Sequence, residues 1–460
     1  MSAFFVQNFG CRATQADGAA IENQLVGKGL TRAESWAEAD LVVLNTCTVT
    51  AAADHDARAA IRRVHRENPQ AKILVTGCYA QRAPQEIAVL PGVTWVVGNS
   101  HKHQVADIAA RTATNFVPLE KVALSAAAFT VIGDIFAHTE LIAAPVFAGD
   151  DSFSRTRPNL KVQDGCNNRC SFCIIPSVRG QSRSMPLQRV LAEAQALADA
   201  GYQEVVLSGI NLGRWGRDFT PQMRFEQLLR ALLADTHLRK IRISSVEPMD
   251  WSDELIELVA SSSRIAKHAH VPLQSGSDRI LRGMHRRYRP WHYAEKIRKI
   301  REAMPDAAIG ADVMVGFPGE TDELFEESRS FIERLPFTYL HVFTYSSRPG
   351  TPSASLPGQV APEVARKRNR MLREIAAVKN LQFRKSFQGQ ILEAITLQTG
   401  NESWTDGLSD NYLKVRIAGR HAANQWLQTE ITEVGAEDLV AIASEFFARN
   451  TEMSLSVTML

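Results

Sequence analysis

The sequence contains few cysteines, no excess of charge of one sign and no long apolar run. Six cysteines occur among 460 residues, and 52 Lys and Arg residues against 50 Asp and Glu residues leave a formal net charge of +2. This balance excludes a uniformly basic nucleic-acid-binding protein, so any such surface has to be local. No stretch of about 18 apolar residues suggests a membrane span, and residues 1–11 lack the pattern of an export signal. We therefore expect a cytoplasmic protein with reduced thiols and no membrane partner.

The six cysteines fall into two groups of three. The compact group, Cys166, Cys170 and Cys173, has the spacing C-x3-C-x2-C. Thiolates are the usual protein ligands of iron–sulfur clusters, and no fourth cysteine lies nearby, so one iron of such a cluster would keep an open position. The alternative is a zinc knuckle or a set of buried structural thiols. Zinc normally takes four ligands, and the nearest histidines, His138 and His237, are distant in sequence.

The second group, Cys11, Cys47 and Cys78, is widely spread, but each member directly follows a candidate strand. The pattern predicts strands at residues 4–9, 41–44, 73–76 and 93–97, with helices at residues 17–28 and 51–67. Alternating strands and helices imply a parallel sheet, in which the strand C-termini share one edge. The three thiols should therefore converge, which would suit a second three-thiolate cluster. The alternative is three independent buried cysteines.

The compact loop, which follows Lys161-Val-Gln-Asp-Gly, resembles the cluster-binding signature of the radical S-adenosylmethionine (SAM) superfamily. The resemblance implies that SAM fills the open position of a 4Fe–4S cluster at this loop. One electron from the cluster would then cleave SAM to methionine and a 5′-deoxyadenosyl radical. The protein would hold and orient the reactants and exclude solvent from them.

Residues 160–350 again alternate strands with helices. Six strands are predicted, at residues 160–163, 204–207, 240–244, 269–273, 309–315 and 339–345. Six such units suggest an incomplete parallel barrel, with its active site at the C-terminal ends of the strands. Polar and glycine-rich motifs stand at these ends. Six residues from them are our candidates for binding SAM: Ser208, Gly209, Ser245, Glu247, Gln274 and Val315.

The chain beyond residue 280 combines two basic runs with a change of pattern. Residues 282–301 and 366–385 are each rich in Lys and Arg and contain a single acid. They are either solvated helix faces or phosphate-binding surfaces. Beyond residue 387, short strands at 391–396, 413–417, 429–434 and 440–443 predict a small β-barrel. Trp404 and Tyr412 either stack on bases or belong to the core of this barrel.

The arrangement as a whole resembles the methylthiotransferase family. The motifs Asn8-Phe-Gly-Cys-Arg12, Asn45-Thr-Cys-Thr-Val-Thr50 and Thr76-Gly-Cys-Tyr-Ala-Gln81 are most similar to the branch that modifies tRNA at N6-threonylcarbamoyladenosine 37. In that branch the product is the 2-methylthio derivative. Thr14 and Ala16 depart from the branch, where Asn and an aromatic residue are usual.

The resemblance implies an α/β protein of three domains. Residues 1–115 would form a parallel α/β domain for an auxiliary cluster, and residues 116–155 a connecting segment. Residues 156–386 would form a partial (β/α)6 radical SAM barrel with a following basic helix, and residues 387–460 a TRAM-like RNA-binding β-barrel.

The resemblance also implies two 4Fe–4S clusters, SAM and two partners. Cys166, Cys170 and Cys173 would hold the SAM-cleaving cluster. The auxiliary cluster, which carries the sulfur to be inserted, would be held by Cys11, Cys47 and Cys78. No catalytic side chain beyond these ligands is implied. The partners would be tRNA and an electron donor such as flavodoxin or ferredoxin.

Other functions stay open at this stage. Within the family, the substrate of the chain would alternatively be N6-isopentenyladenosine in tRNA or a ribosomal protein. Outside it, an iron–sulfur redox or sensing protein that binds RNA would use the thiols without needing a barrel with nucleoside-type glycine motifs. A plain RNA-binding protein would explain the basic runs but not the thiols.

Overall fold

The N-terminal domain is a wholly parallel sheet. The computed structural model describes residues 2–113, 128–137 and 156–444. The strands of this domain are β1 (Ala3–Asn8), β2 (Thr31–Arg32), β3 (Leu41–Thr46), β4 (Lys72–Gly77), β5 (Val93–Gly98) and β6 (Phe129–Val131). They pair in the order β2-β1-β3-β4-β5-β6. The helices are α1 (Arg12–Gly27), α2 (Ala51–Glu67), α3 (Cys78–Arg82), α4 (Pro84–Ala88) and α5 (Val105–Ala113).

The local pattern of the sequence explains most of this sheet. All six residues of β3 are buried, as expected of a central strand that carries helices on both faces. The predicted helix at residues 51–67 is confirmed, and Thr50 caps it by accepting from the Ala53 amide. Helix α1 begins at Arg12, earlier than predicted, so that Cys11 occupies its N-cap. The edge strand β6 lies within residues 116–155, and residues 116–127 and 138–155 lie outside the described part of the chain.

The middle of the chain forms the predicted partial barrel. Its strands are β7 (Asn159–Lys161), β8 (Gln163–Asp164), β9 (Arg183–Ser184), β10 (Glu204–Ser208), β11 (Lys240–Ile243), β12 (His268–His270), β13 (Ala308–Val315) and β14 (Tyr339–Thr344). The helices are α6 (Ile175–Arg179), α7 (Leu187–Asp199), α8 (Phe225–Asp235), α9 (Asp253–Ser261), α10 (Asp278–Gly283), α11 (Pro290–Ala303), α12 (Asp322–Arg334) and α13 (Pro362–Lys385). None of the described helices is long and apolar enough to cross a membrane.

Two parallel three-stranded sheets make up the barrel wall. They run β11-β10-β7 and β12-β13-β14, while β8 and β9 form a separate hairpin. At the seam, the Ile241 amide donates to the Arg264 carbonyl (2.7 Å), and Ile241 in turn accepts from the Ala266 amide (2.9 Å). Alternate residues of β13, such as Ile309 and Val313, pack in the core under the helices. Asp312 and Met314 consequently lie on the opposite, concave face.

The C-terminal domain is a closed five-stranded barrel. Its strands are β15 (Ile391–Gly400), β16 (Trp404–Ser409), β17 (Lys414–Ala418), β18 (Trp426–Val434) and β19 (Leu439–Ala443), in the order β15-β16-β17-β19-β18. The prediction of a small β-barrel is confirmed, although it omitted β16. Strand β16 has the sequence WTDGLS, whose Asp and Gly are typical of turns rather than strands.

The turn after β16 packs against the N-terminal end of the central barrel. Arg242 donates to the carbonyl oxygens of Ser409 (3.2 Å) and Asp410 (3.0 Å). The Tyr412 ring stacks on His268 at a centroid distance of 4.3 Å. Tyr412 also packs against a buried cluster of the small barrel, so the structure supports the core role left open for it and extends that role to the contact between the two barrels.

The basic run of α13 divides into structural and exposed cations. Buried Arg368 pairs with Glu320 (2.8 Å) and Asp322 (2.7 Å), and buried Arg384 donates to carbonyl groups of the C-terminal barrel. Other members of the run are exposed: Arg366, Lys367, Arg370, Arg373 and Lys385. Only this second set is available to bind phosphate.

A buried ion network joins the N-terminal sheet to the central barrel. Asp17 of α1 lies 2.8 Å from Lys102 Nζ, 2.6 Å from Lys161 Nζ and 3.1 Å from an Arg179 terminal nitrogen. Asp164 lies 2.6 Å from Lys161 and 3.0 Å from Arg179. Burial raises the pKa of Asp17, but the three cations outweigh it and hold that pKa well below its ordinary value. Asp17 is therefore an ionised group on which the domain interface depends.

We predict that Asp17→Asn weakens the interface strongly, because it leaves three buried cations with one carboxylate fewer. The expected loss is about 3–5 kcal/mol of unfolding free energy, measured by urea denaturation under anaerobic conditions. The control is Asp107→Asn, which removes the half-exposed partner of Lys28 (2.8 Å). That change should cost at most about 1 kcal/mol. Equal, small losses in the two variants would refute the role given to Asp17.

Candidate functional site

The three widely spaced cysteines converge at one edge of the N-terminal sheet. Thr46 pairs with Gly77 at the ends of β3 and β4, so Cys47 and Cys78 leave neighbouring strands at the same level. Gly10 has a φ of +92°, and a Cβ added to it would lie 2.8 Å from Cys47 Sγ. A side chain there would collide with the thiol, so glycine is required for the close approach of the Cys11 loop.

These three thiols differ in exposure. Cys47 and Cys78 are buried, whereas Cys11 is exposed and lies 3.5 Å from Thr14 Oγ1. Burial and the neighbouring Cys78 and Cys11 raise the pKa of Cys47 to about 12. Such a thiol ionises at neutral pH only when a bound cation compensates its charge, as an iron centre does.

The compact cysteine loop runs from the end of β8 into α6, and both lie between the two paired strands β8 and β9. The Asn168 amide donates to Cys166 Sγ (3.4 Å), and Asn211 Nδ2 lies 3.6 Å from the same sulfur. An Arg286 terminal nitrogen donates to Cys170 Sγ (3.1 Å). Burial raises the pKa of Cys173 to about 12, so this set too needs a cationic ligand to ionise fully.

Neither set of thiols is arranged for a single zinc ion. Four thiolates around one zinc lie about 3.8 Å apart. Among the described residues, only one group of three His, Cys, Asp or Glu side chains brings all its ligand atoms within 4.8 Å, and it contains no cysteine. A cluster binds each thiolate to a different iron and so holds its ligands farther apart. The thiolate donor chemistry therefore fits iron–sulfur clusters, and neither set is compact enough for one zinc ion.

The candidate SAM-binding residues take different positions. Gln274 is buried with a φ of +67°, and its Oε1 has no hydrogen-bond partner among the described residues. Glu247 is partly exposed and pairs with Arg286. Ser245 is exposed. Gly209 lies close to Gln163, and a Cβ added to this glycine would lie 3.0 Å from Gln163 Oε1. These residues lie at the C-terminal strand ends, where a nucleoside would bind.

Two candidates have their side chains engaged by the protein. Ser208 is buried, with its hydroxyl 3.5 Å from the Leu160 carbonyl. Val315 belongs to the core between the sheet and the helices, so its side chain does not face the concave side. Its carbonyl oxygen is engaged as well, because it accepts from the Tyr345 amide (2.8 Å) where β13 pairs with β14.

The sequence reasoning did not identify Arg286 and Asn211 individually. Arg286 was one cation in a basic run, yet it is buried between Cys170, Glu247 and Tyr288. A cavity is lined by Cys170, Glu247, Arg286 and Tyr288, and an adjoining one by Asn211 and the exposed Arg287. Arg286 follows the Gln274-Ser-Gly turn by ten residues. This spacing does not distinguish it from the neighbouring arginines, so the sequence does not predict which of them is buried beside Cys170.

Helix α6 links the two thiol sets directly. It begins two residues after Cys173, and Cys78 packs against Ile174 and Val178. Asn99 Nδ2 donates to the Val178 carbonyl oxygen (2.7 Å) and to Cys78 Sγ (3.5 Å). One short helix therefore lies between the two candidate cluster sites.

Comparisons with known proteins agree with this geometry. Residues 160–332 match the radical SAM superfamily, and residues 3–98 match an uncharacterised protein family, UPF0004. The solved structure of the radical SAM methyltransferase TsrM from Kitasatospora setae superposes with a TM-score of 0.56 at 16% identity. It covers 76% of this chain and 74% of that one, which establishes a shared fold.

Full-length relatives are more informative. The threonylcarbamoyladenosine tRNA methylthiotransferase MtaB of Bacillus subtilis is 38% identical over 428 residues, 91% of each chain. MtaB of Aquifex aeolicus is 37% identical and covers 90% of this chain and 96% of its own. The tRNA-2-methylthio-N(6)-dimethylallyladenosine synthase of Aquifex aeolicus is 30% identical and covers 92% of this chain and 91% of its own. The chain belongs to the radical SAM methylthiotransferase family, because it matches these relatives over nearly its whole length and contains a radical SAM domain and two sets of three cysteines.

Proposed function

We propose that this enzyme converts N6-threonylcarbamoyladenosine 37 of tRNA to its 2-methylthio derivative. The observation that carries the proposal is the placement of two three-thiol sets on either side of α6. The choice of substrate is supported by relatives named for threonylcarbamoyladenosine at 34–38% identity, whereas those named for dimethylallyladenosine are 30–33% identical. The dimethylallyladenosine reaction is the second candidate.

The chemistry explains why one chain needs two clusters. The aromatic C–H bond at the adenine ring is strong and unactivated, so acid–base catalysis alone does not replace its hydrogen by sulfur. SAM bound to a 4Fe–4S cluster supplies the radical chemistry. Cys166, Cys170 and Cys173 would hold that cluster. Cys11, Cys47 and Cys78 would hold the auxiliary cluster that presents the sulfur, on the side where Cys11 is exposed.

Buried Arg286 is the side chain that most directly joins the compact thiol loop to the candidate SAM site. Its guanidinium contacts Cys170 Sγ (3.1 Å), the Tyr288 hydroxyl (3.1 Å) and Glu247. Burial lowers the pKa of Arg286, but Tyr288, Glu247 and Cys170 outweigh it and raise that pKa well above its ordinary value. A permanent positive charge is therefore fixed beside one ligand of the SAM-cleaving cluster.

The remaining parts of the proposal concern partners and location. The exposed cations of α13 would contact tRNA phosphates beside the small C-terminal barrel. A low-potential donor such as flavodoxin or ferredoxin would supply electrons. The cytoplasm, where thiols stay reduced, would be the site of the reaction.

The two thiol sets should be separable by function. In Cys78→Ala the compact loop is unchanged, so the enzyme should still release 5′-deoxyadenosine but should form no 2-methylthio nucleoside. In Cys170→Ala, deoxyadenosine formation should be lost together with the open iron. Both products are measured anaerobically with SAM, dithionite and hypomodified tRNA. Each variant should retain about four of the eight irons of the wild type. Methylthiolation at the wild-type rate by Cys78→Ala would contradict the assignment.

Arg286→Gln should lower the reduction potential of the SAM-cleaving cluster. A nearby cation favours the more negative, reduced state, so its removal makes reduction harder. The measurement is a redox titration followed by electron paramagnetic resonance (EPR). The control is Arg282→Gln, which removes an exposed cation of the same basic run that lines neither cavity and should leave the potential unchanged. An unchanged or higher potential in Arg286→Gln would count against this role.

The double variant Arg366→Gln, Arg370→Gln should lower the affinity for tRNA and should make that affinity less dependent on salt concentration. Loss of two phosphate contacts should reduce the slope of log affinity against log salt by about 2. The control is Arg298→Gln, Arg329→Gln, because each of these arginines is paired with two glutamates. Equal slopes for both double variants would exclude α13 as a tRNA contact.

A further inference from the structure

One polar cluster has no role in the chemistry assigned so far. It consists of His270 on β12, Asp312 on β13 and His341 on β14, three adjacent strands of the barrel. Asp312 Oδ1 lies 3.2 Å from His270 Nε2 and 3.3 Å from His341 Nδ1. All three ligand atoms lie within 4.8 Å of one another.

The donor spacing suits a first-row divalent metal ion. Ligands bound at 2.0–2.1 Å in a tetrahedral arrangement lie about 3.3 Å apart. The two observed separations, 3.2 and 3.3 Å, match this value. A set of two histidines and one carboxylate leaves further coordination positions open for another ligand.

The surroundings of His270 hold its ring in the orientation that a ligand needs. Its Nδ1 lies 2.9 Å from the Tyr339 hydroxyl, which also lies 2.7 Å from His268 Nε2. The stacking of Tyr412 on His268 (4.3 Å) fixes this pair from the C-terminal domain. Metal-binding histidines usually have such a partner on the second ring nitrogen, because it sets the tautomer and the ring angle.

The cluster opens toward solvent on one side only. The exposed fraction of the side chain rises from 6% for His270 to 29% for Asp312 and 59% for His341. The cluster is therefore buried at His270 and reaches solvent at His341.

We propose that His270, Asp312 and His341 bind a divalent cation whose open positions take oxygen atoms of the threonylcarbamoyl group of the substrate. This inference rests on the proposed function, since that group supplies the ligands. A substrate carboxylate would be repelled by Asp312 alone, whereas a cation between them attracts both. A dimethylallyl group has no oxygen atom to offer, so the cation would distinguish the two nucleosides.

The first test counts bound metal in the protein with both clusters oxidised. Mn²⁺ is the probe, because it prefers oxygen and nitrogen ligands to thiolates, and its free form is quantified by EPR. We expect one saturable site per chain in the wild type and at least a tenfold weaker site in His341→Gln and Asp312→Asn. The control, His292→Gln, changes an exposed histidine of α11 and should bind like the wild type. Iron content verifies that all variants are folded.

The second test measures tRNA affinity with and without the threonylcarbamoyl group. With Mn²⁺ present, the wild type and His292→Gln should bind the modified tRNA about tenfold more tightly than unmodified tRNA. His341→Gln should bind both equally, with its affinity for unmodified tRNA unchanged. Absence of saturable Mn²⁺ binding, which would leave the cluster as a hydrogen-bonded His–Asp–His group, overturns the proposal. So does Mn²⁺ binding without any preference for the modified tRNA.

The two proposals fail in different ways. An enzyme that binds Mn²⁺ and prefers the modified tRNA, but yields no 2-methylthio product from it, would overturn the proposed function and not the cation site. Product formation without any effect of Mn²⁺ or of His341→Gln on tRNA preference would overturn the cation site alone.

Discussion

The buried ion network around Asp17 and Asp164 is the interaction on which the arrangement of both thiol sets depends. Asp17 belongs to α1, whose N-cap is Cys11, while Arg179 is the last residue of α6. Their contact at 3.1 Å joins the N-terminal sheet to the loop that follows Cys173. Because all the partners are buried, water does not screen the attraction, and loss of one member leaves an unpaired charge in the interior.

The charges of this network are not balanced by its carboxylates alone. Among the described residues, Lys102, Lys161 and Arg179 pair with the two carboxylates Asp17 and Asp164, and a fourth cation, Arg183, lies 3.5 Å from Asp164. Burial lowers the pKa of Arg179, but Cys78, Asp164, Asp17 and Cys11 outweigh it and raise that pKa well above its ordinary value. Thiolates at Cys78 and Cys11 would offset the excess of positive charge, and the thiolate is the form of cysteine that binds iron. Domain docking and iron binding should consequently stabilise each other.

How far the sequence predicts this molecule depends on the range of the interactions. The alternation of apolar runs with helical patterns is a property of short segments of sequence. It correctly predicts β3, β4, α2 and the six parallel strands of the barrel. Convergence of Cys11, Cys47 and Cys78 followed from one topological rule, that parallel strands end at one edge. Long-range partners have no such local signal. Lys161 and Asp17 are 144 residues apart, and nothing in either segment indicates the other.

The same limit explains which details of the candidate site the sequence does not predict. Val315 stands in a glycine-rich motif, but strand alternation turns its side chain to the core and leaves Asp312 on the concave face. Arg286 and Arg287 are identical in type and adjacent in sequence, yet one is buried against Cys170 and the other is exposed. His270 and His341 are 71 residues apart, and only the pairing of β12 and β14 with β13 brings them to Asp312.

The two ends of the central barrel carry different tasks. Its C-terminal strand ends hold the compact cysteine loop, Glu247 and Gln274, and remain accessible. Near its N-terminal end, the 409–412 turn of the C-terminal barrel is fixed by Arg242 and by the stacking of Tyr412 on His268. In parallel barrels one end is usually closed by packing, and the active site lies at the other end.

The position of α13 relative to the two barrels is fixed, because Arg368 and Arg384 attach it to the central barrel and to the C-terminal barrel. A nucleic acid bound along α13 and the small barrel would therefore be held at a fixed distance from the two thiol sets, so that one nucleotide could be presented to both.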